Sequence, residues 1–589
     1  MSADADAGVD SVTLEVVRNA CIAVAEEMNA TLVRTAYSPN IKERRDCSCA
    51  LFDAAGEMIS QAENMPVHLG AMPFSVAAAV ERFPPAELEP GDSILLNDPF
   101  RGGAHLPDLT LVSPVFVDGD VVAYAANRAH HADIGGSRAG SVAADSTEIY
   151  QEGLRIPPVK FASGGTVDED VLSMILANVR TPDERRGDLR AQEAANATGR
   201  RRFSALAEKH GDTLAPALAE IKDYSERRMR TEIESLPDGT YTFEDVLDDD
   251  GRGNEDLPVR AAVTVDDDEI AVDFAGTAPQ TAGPINAVFA VTASATYYSV
   301  RCVTDPSIPP NHGCYRPITV DAPERSLVNP EPPAAVVGGN LETSQRVTDV
   351  VLGAFAEADV SRVLAGSQGT MNNVTFGGTD PRGAAGDDGA AEGAGSPYAF
   401  YETQGGGFGG RDGKDGMDGV HVHMSNTRNT PVEVLETAYP LRVERYELRP
   451  DSGGAGRFRG GLGLRRDLRV RDHTATFSLL ADRQRHAPYG LAGGAEGEPG
   501  AAFRIDADAD PDDGDDGVRI PGKSTHDLPP GTTVSLRTPG AGGYGPPSER
   551  EPAALADDLR QGKVTESAAR ASYGDDLVDA ARGLLASDD

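Results

Sequence analysis

Hydrophobic residues near the N-terminus recur at helical spacing. Apolar side chains between residues 11 and 37 fall three or four positions apart for more than five turns: Val12, Val16, Val17, Ala20, Cys21, Val24, Met28, Leu32 and Val33. Such a stripe predicts an amphipathic helix with one face on a core. Ser11 is its predicted N-cap, because a hydroxyl can accept a hydrogen bond from a free backbone N–H group.

Alternating patterns predict strands after this helix. Residues 47–52, 93–96, 109–117 and 119–125 are rich in apolar and β-branched side chains, and Asp118-Gly119 stands between the last two segments. This dipeptide is typical of a tight hairpin turn. We therefore expect the last two strands to pair as an antiparallel hairpin.

The rest of the chain mixes both patterns. Helical spacing recurs at residues 72–83, 183–235 and 344–358, whereas short alternating segments dominate residues 431–545. This mixture predicts an α+β fold, with helices layered on antiparallel and mixed sheets and a β-rich C-terminal part. A chain of 589 residues is too long for one core. The predicted parts are an N-terminal α/β unit (1–236), a central α+β unit with Gly-rich loops (237–430), a β-rich unit (431–548) and an acidic helical tail (549–589).

The predicted hairpin brings two polar segments together. Residues 97–108 form a Gly/Pro-rich loop that ends in His105 and Asp108, and residues 126–136 begin a second loop that contains His130. In an antiparallel hairpin the start of the first strand lies beside the end of the second. His105, Asp108 and His130 are therefore expected to lie close together.

Imidazole and carboxylate groups in this arrangement suit a divalent metal such as Zn, Mn or Fe. A site with two or three protein ligands also keeps a position open for water. The alternative is a polar loop whose histidines only hydrogen-bond to the turn. His131 and Asp133 are candidates for general acid/base catalysis or for orienting His130. His68, just before the predicted helix at 72–83, is a candidate for lining the site.

Charge and composition exclude several classes of function. The formal charge is −40 with a pI near 4.6, so a phosphate backbone would be repelled and no nucleic-acid partner is expected. Only seven of the basic residues are lysines and tryptophan is absent. This pattern is typical of halophilic proteins, since molar salt screens charge beyond about 3 Å.

Targeting and redox signals are absent from the sequence. The apolar runs are shorter than a membrane span, and the first ten residues are acidic where a signal peptide would be basic and then apolar. We therefore expect a cytoplasmic protein with no membrane partner. Five cysteines, an odd number, argue against a disulfide framework.

Several blocks of sequence resemble the hydantoinase B/oxoprolinase family, which includes the B-type chains of N-methylhydantoinases, the second half of ATP-dependent 5-oxoprolinases and one subunit of acetone carboxylase. The blocks are residues 43–53, 66–70, 97–108, 130–136, 338–344 and 404–410. They cover the first two-thirds of the chain and are specific for the family rather than for a substrate.

The resemblance implies a B subunit of an ATP-dependent hydrolase that opens cyclic amides or imides. A hydantoinase A-like partner would use ATP to phosphorylate the substrate, and metal-activated water in this chain would open the ring, so a hetero-oligomer is expected. Asp46 becomes a further candidate metal ligand by the same resemblance. Arg101 or Arg128 would suit the phosphate of the activated substrate. Gly338-Gly339 precedes a helix but lacks the lysine of a phosphate-binding loop.

Three other functions stay open at this point. A carboxylase subunit of the acetone carboxylase type would share the metal residues and require bicarbonate. A non-catalytic scaffold would bind no metal. A thiol hydrolase using Cys47 or Cys49 would resist chelators, although the strand-like setting of both cysteines favours a structural role.

Overall fold

The N-terminal amphipathic pattern forms helix α1 (Ser11–Thr35) in the computed structural model, which describes residues 9–62, 64–384, 395–509 and 517–587. Its N-cap is Asp10 and not Ser11: the Asp10 carboxylate accepts hydrogen bonds from Val12 N and Thr13 N at 3.0 and 3.1 Å. A carboxylate at this position also interacts favourably with the helix dipole.

A seven-stranded sheet forms the centre of the N-terminal part, with strand order β2-β1-β5-β4-β3-β6-β7. The predicted hairpin is present, and Asp118 and Gly119 at its turn both have positive φ, as a type I′ turn requires. The strands are β1 (Cys47–Asp53), β2 (Met58–Ala62), β3 (Ser93–Leu96), β4 (Asp108–Val117), β5 (Asp120–His130), β6 (Val159–Ser163) and β7 (Thr166–Val167).

Helices cover both faces of this sheet. One face, which includes Ala50 and Ala126, packs on the helix that contains Met72, and the other, which includes Cys49 and Ala125, packs on α1. Adjacent strand residues point to opposite faces, so each strand serves two cores. The helices are α2 (Pro39–Lys42), α3 (Pro66–Arg82), α4 (Glu169–Ala177), α5 (Pro182–His210) and α6 (Leu214–Ile233).

A four-stranded sheet of order β11-β10-β9-β8 follows, with one helix, α8, packed on β8 and β9 and a second, α7, packed between α8 and α3. One hydrophobic core runs through this part and the α3 face of the first sheet. The elements are β8 (Gly239–Asp249), β9 (Glu255–Asp266), β10 (Glu269–Asp273), α7 (Phe289–Val303), β11 (Ile318–Asp321) and α8 (Ser344–Ala358).

Two further sheets form the C-terminal half, with orders β13-β12-β16-β19 and β14-β15-β20-β17-β18. The first joins strands from both sides of residue 430, so hydrogen bonding crosses a predicted domain boundary. The elements are β12 (Asn373–Asp380), β13 (Ser396–Glu402), α9 (Val432–Ala438), β14 (Leu441–Leu448), β15 (Leu464–Val470), β16 (Ala475–Leu480), β17 (Ala501–Ile505), β18 (Val518–Ile520), β19 (Lys523–Leu528) and β20 (Thr533–Arg537).

The acidic tail folds into three short helices, α10 (Pro552–Arg560), α11 (Glu566–Tyr573) and α12 (Asp575–Ser587). Their apolar faces pack together around Leu555, Ala569 and Val578. The predicted α+β class, with antiparallel and mixed sheets and a β-rich C-terminal part, is confirmed. No helix in the described ranges combines the length and the apolar content that crossing a bilayer requires.

Candidate metal centre

The β4–β5 hairpin brings three of the predicted metal ligands together. Asp108 at the start of β4 pairs with His130 at the end of β5. Asp108 Oδ1 lies 2.9 Å from His105 Nε2 and 3.1 Å from His130 Nδ1, and the two imidazole nitrogens are 3.2 Å apart. All three side chains are buried. The geometry expected from the hairpin is therefore present, and we call these residues the triad.

Helix α3 adds His68 to the edge of the triad. The sequence predicts a helix only from residue 72, but α3 begins at Pro66, because proline is favoured in the first turn of a helix. His68 therefore lies in that turn, with its Nε2 3.3 Å from Asp108 Oδ2 and 3.9 Å from Asp46 Oδ1. His68 contacts two predicted ligands, and its role toward a substrate stays a prediction.

Asp46 lies at the margin of the centre. In the described part of the chain, the potential ligand atoms that converge belong to the triad and do not include its carboxylate. The Asp46 backbone oxygen accepts a hydrogen bond from His130 N at 3.0 Å, which fixes the end of β5. Coordination by Asp46 also stays a prediction.

Backbone and amide groups orient the His105 ring. His105 Nδ1 lies 3.4 Å from the Val337 oxygen and, because a carbonyl only accepts, Nδ1 is the donor. Asn340 Nδ2 lies 3.3 Å from His105 Nε2. These two contacts fix the plane of the His105 ring beside Asp108. Buried Glu152 holds the Val337 segment, because its carboxyl group accepts from Val336 N at 3.0 Å and from Val337 N at 3.1 Å.

Residues distant in sequence hold His130. Tyr401 of β13 stacks on its ring with centroids 4.4 Å apart and the two planes at 15°, and the Tyr401 hydroxyl donates to Asn373 Oδ1 at 3.1 Å. Asn40 Nδ2 donates to the His130 backbone oxygen at 2.7 Å. Arg44 donates to both Asn40 Oδ1 and the Tyr401 backbone oxygen, so it ties the two supports together.

The triad favours an ionised Asp108 and a neutral His130. Burial alone would raise the pKa of Asp108, but His105, His68 and His130 outweigh burial and hold that pKa well below its ordinary value. Burial lowers the pKa of His130, although nearby carboxylates act in the opposite direction. An ionised Asp108 beside a neutral His130 is the state that a metal ion requires of these two ligands.

The donor atoms fit a divalent ion. His105 Nε2 and Asp108 Oδ1 lie 2.9 Å apart, and imidazole nitrogens and carboxylate oxygens both bind divalent ions. Ligand distances of about 2.0–2.2 Å from one ion to all three triad atoms are compatible with the 2.9–3.2 Å separations between those atoms. Three ligands from one hairpin would leave an open position.

His131 and Asp133 are not brought together with the triad. His131 Nε2 donates to Gln192 Oε1 of α5 at 2.9 Å, on the side of the sheet opposite to α3. Burial and then Arg185 lower the pKa of His131 to about 4. The Asp133 carboxylate accepts from Arg180 Nη1 at 2.9 Å and from Gly135 N at 3.0 Å, so it organises its own loop. Their predicted catalytic roles gain no support from this geometry.

The two candidate phosphate ligands have different environments. The Arg101 side chain is 63% exposed and lies 3.8 Å from Asp98. Arg128 is fully buried, two residues before His130, and donates to Thr110 Oγ1 at 2.9 Å and Ser75 Oγ at 2.7 Å. Its Nη1 has no hydrogen-bond partner in the described part of the chain. Only Arg128 lies beside the triad.

Some supporting residues could not be identified from local sequence. Asn340 belongs to the block at 338–344, so the resemblance offered a signal, whereas Tyr401, Asn40 and Glu152 carried none. Residues 517–524 also have the G-x-x-x-x-G-K-[ST] spacing of a phosphate-binding loop. Its Lys523 is buried on β19 and pairs with Asp482 at 2.8 Å, and a strand follows in place of the helix that a phosphate loop requires.

Comparison with known sequences identifies relatives over most of the chain. The profile described as hydantoinase B/oxoprolinase matches residues 10–547. A candidate B-type chain of a D-/L-hydantoinase from Pseudomonas sp. is 34% identical over 588 residues, 97% of this chain and 96% of that protein. 5-Oxoprolinase 1 of Arabidopsis thaliana is 36% identical over 563 residues, 91% of this chain but 42% of that protein. The chain thus spans less than half of the oxoprolinase.

Solved structures show the same fold. The ATP-dependent caprolactamase of Pseudomonas jessenii superposes with a TM-score of 0.88 at 31% identity, covering 98% of this chain and 99% of that chain. A nucleotide-free acetone carboxylase superposes with a TM-score of 0.84 at 20% identity, covering 98% and 83%, and shows similarity of fold alone. The profile match and these relatives together show that the chain belongs to the hydantoinase B/oxoprolinase family.

Proposed function

We propose that the chain is the B subunit of an ATP-dependent hydrolase that opens cyclic amides or imides. The observation that carries the proposal is the convergence of His105 Nε2, Asp108 Oδ1 and His130 Nδ1 within 3.2 Å of one another in a buried centre. The names of two relatives support the reaction class, since one is an ATP-dependent caprolactamase and the other a candidate hydantoinase chain.

The triad would hold a divalent ion, Zn, Mn or Fe, with Asp46 as a candidate fourth ligand. Such an ion supplies hydroxide near neutral pH and polarises a carbonyl group. The chain's own residues prepare the site: Val337 and Asn340 contact the two nitrogens of the His105 ring, and Tyr401 fixes the plane of the His130 ring. His68, 3.3 Å from Asp108 Oδ2, is the nearest further group able to exchange a proton there.

ATP would be used by a hydantoinase A-like partner subunit. A cyclic amide resists hydroxide because resonance makes its carbonyl group unreactive, and phosphorylation of the carbonyl oxygen removes this protection. Lys523, which follows the spacing of a phosphate loop, is buried in an ion pair and is unsuited to a nucleotide. We therefore propose a hetero-oligomer in which activation and ring opening occur on different chains.

Arg128 would hold the anionic group of the activated substrate. Among the described residues its guanidinium meets no carboxylate within 4.0 Å, and one of its nitrogens donates no hydrogen bond. Asp108 favours the charged form of Arg128 from beyond contact distance, but a buried cation that touches no carboxylate is costly unless a ligand supplies the charge. The exposed Arg101 lacks this property, so we assign the role to Arg128 alone.

The test compares the wild type with His105→Ala and with the control His526→Ala, which removes a half-buried histidine of β19. Each protein is analysed for bound metal and assayed with the A-like subunit, ATP, and a panel of hydantoins and 5-oxoproline. Loss of metal and turnover in His105→Ala alone would support the proposal. Unchanged turnover in that variant would overturn it. A requirement for bicarbonate together with a carboxylated product would indicate the carboxylase alternative. Absence of metal from the wild type would indicate a non-catalytic scaffold.

A further inference from the structure

A groove between α1 and the first sheet, whose opposite face carries α3, has the features of a separate binding site. It runs between α1 and the edge strand β2, encloses about 430 Å³, and is closed at one side by Pro309 and Pro310. A cavity of this size suits a small molecule. On α1 it is lined by residues one helical turn apart: Arg18, Ile22, Glu26, Ala30 and Arg34. We call it the α1–β2 groove.

The charge of this groove is opposite to that of the whole chain. Arg18, Arg34 and Arg45 line it, whereas Glu26 is the acidic residue in its described lining. The complete chain carries 94 acidic against 54 basic residues. Arg18 pairs with Glu15 at 2.7 Å, but neither Arg34 nor Arg45 forms an ion pair with a carboxylate within the described ranges. Two guanidinium groups are thus free to meet a ligand.

Buried polar atoms of the groove are also unsatisfied. Ser60 Oγ of β2 has no hydrogen-bond partner among described residues, although the residue is only 4% exposed. Arg18 Nε is also buried and has no hydrogen-bond partner among the described residues. Buried polar groups normally find partners, and leaving one unpaired costs about 1–3 kcal/mol. These atoms are in a position to be satisfied by a bound molecule.

We propose that the α1–β2 groove binds a small oxyanion, that is, a ligand carrying a phosphate or carboxylate group. Arg34 and Arg45 would supply planar donor pairs, which match the geometry of both groups. The Ser60 hydroxyl would donate from β2, since Ser60 pairs with Leu51 on the α1 face of the sheet. The site is separate from the triad, because α1 and α3 lie on opposite faces of the sheet. It does not depend on the hydrolytic reaction.

The test measures anion binding to the full chain. The protein is dialysed against a chelator, so that no metal at the triad can bind the anion, and is titrated calorimetrically with inorganic phosphate, pyrophosphate and succinate in chloride buffer. We expect saturable 1:1 binding of at least one anion. Stronger binding of phosphate or pyrophosphate identifies a phosphate ligand, and stronger binding of succinate identifies a carboxylate ligand.

Variants then locate the bound anion. Arg34→Ala and Arg45→Ala change exposed side chains and should each weaken binding about tenfold or more. Ser60→Ala removes an unpaired hydroxyl, so it should weaken binding without lowering the melting temperature. The control Arg227→Ala, on the exposed face of α6, should change nothing. No saturable binding, or binding unchanged in both Arg34→Ala and Arg45→Ala, would overturn the proposal.

Discussion

Two buried groups of charged side chains in this protein are satisfied in different ways. One is the triad with Arg128 beside it. The other, which we call the arginine cluster, joins β8, α8 and the loop after β16, and consists of Asp245, Arg346, Asp349, Asp482 and Arg483. Arg346 lies 2.7 Å from both Asp245 and Asp482, and Arg483 lies 2.6 Å from Asp245 and 2.7 Å from Asp349.

The difference between the two groups indicates their roles. In the arginine cluster each guanidinium meets at least two carboxylates, and Lys523 pairs with Asp482 at 2.8 Å, so the charges compensate one another inside the protein. At the triad, the Asp108 carboxylate meets imidazole groups, and the guanidinium of Arg128 meets hydroxyl groups only among the described residues. The first arrangement stabilises a fold, whereas the second has the groups that an external cation and an external anion would bind.

The largest expected effect comes from removing the charge of the triad. Asp108→Asn should lose the metal and reduce turnover about 10³-fold or more, because Asp108 is the one negatively charged ligand of the triad. Elemental analysis and the assay with the A-like subunit measure both. Asp120→Asn, at the exposed start of β5, is the matched control. Full metal content with normal turnover in Asp108→Asn would contradict the proposal that the triad, unlike the arginine cluster, binds a metal ion.

The next largest effect comes from breaking the arginine cluster. Arg346→Met should lower the free energy of unfolding by about 3–5 kcal/mol, because Asp245, Asp349 and Asp482 each lose one of their cation partners and leave a net negative charge in the protein. Chemical denaturation measures the change, and Arg227→Met, whose side chain is 59% exposed, should cost less than about 1 kcal/mol. The folded variant should keep its metal. A loss below about 1 kcal/mol in Arg346→Met would contradict a structural role.

Much of the fold and the triad could be predicted because the signals are local. Helix α8 has the predicted bounds, Ser344–Ala358, since its apolar stripe is regular. The Asp118-Gly119 turn fixes the register that pairs Asp108 with His130. The alternation of strands also explains His131: neighbours at the end of a strand point to opposite faces, so His130 and His131 could not both enter one site.

The remaining features depend on long-range packing. Tyr401 reaches His130 from a strand more than 250 positions away, and nothing in its local pattern predicts a stacked ring. The arginine cluster is equally hidden, because in a chain this acidic a buried aspartate looks like any solvated one. Glu152 lies in an irregular segment. Only the fold shows that its carboxyl group accepts hydrogen bonds from Val336 and Val337, the backbone segment that contacts His105.

A smaller effect should appear as a pH dependence. Burial raises the pKa of Glu152 to about 8, although hydrogen bonds from Val336 N and Val337 N lower it. A pKa above that of the unfolded chain means that the stability contributed by the protonated form is lost as pH rises toward 8. Glu152→Gln should therefore gain on the order of 2 kcal/mol relative to wild type between pH 5 and 8.5. Denaturation at both values measures this, with exposed Glu81→Gln as control. Parallel curves for Glu152→Gln and wild type would contradict it.

The smallest effect tests whether Tyr401 only orients His130 or takes part in metal binding itself. Tyr401→Phe keeps the ring that stacks on His130 at 4.4 Å but removes the hydroxyl that donates to Asn373 Oδ1 at 3.1 Å. The variant should lose about 1–2 kcal/mol of unfolding free energy, because Asn373 Oδ1 is left unpaired. Its metal content should equal that of wild type. Tyr401→Ala, which also removes the ring, should lower metal affinity about 10–100-fold, as loss of an orienting neighbour does. Loss of metal in Tyr401→Phe would contradict this prediction, because it would mean that the Tyr401 hydroxyl itself contributes to metal binding.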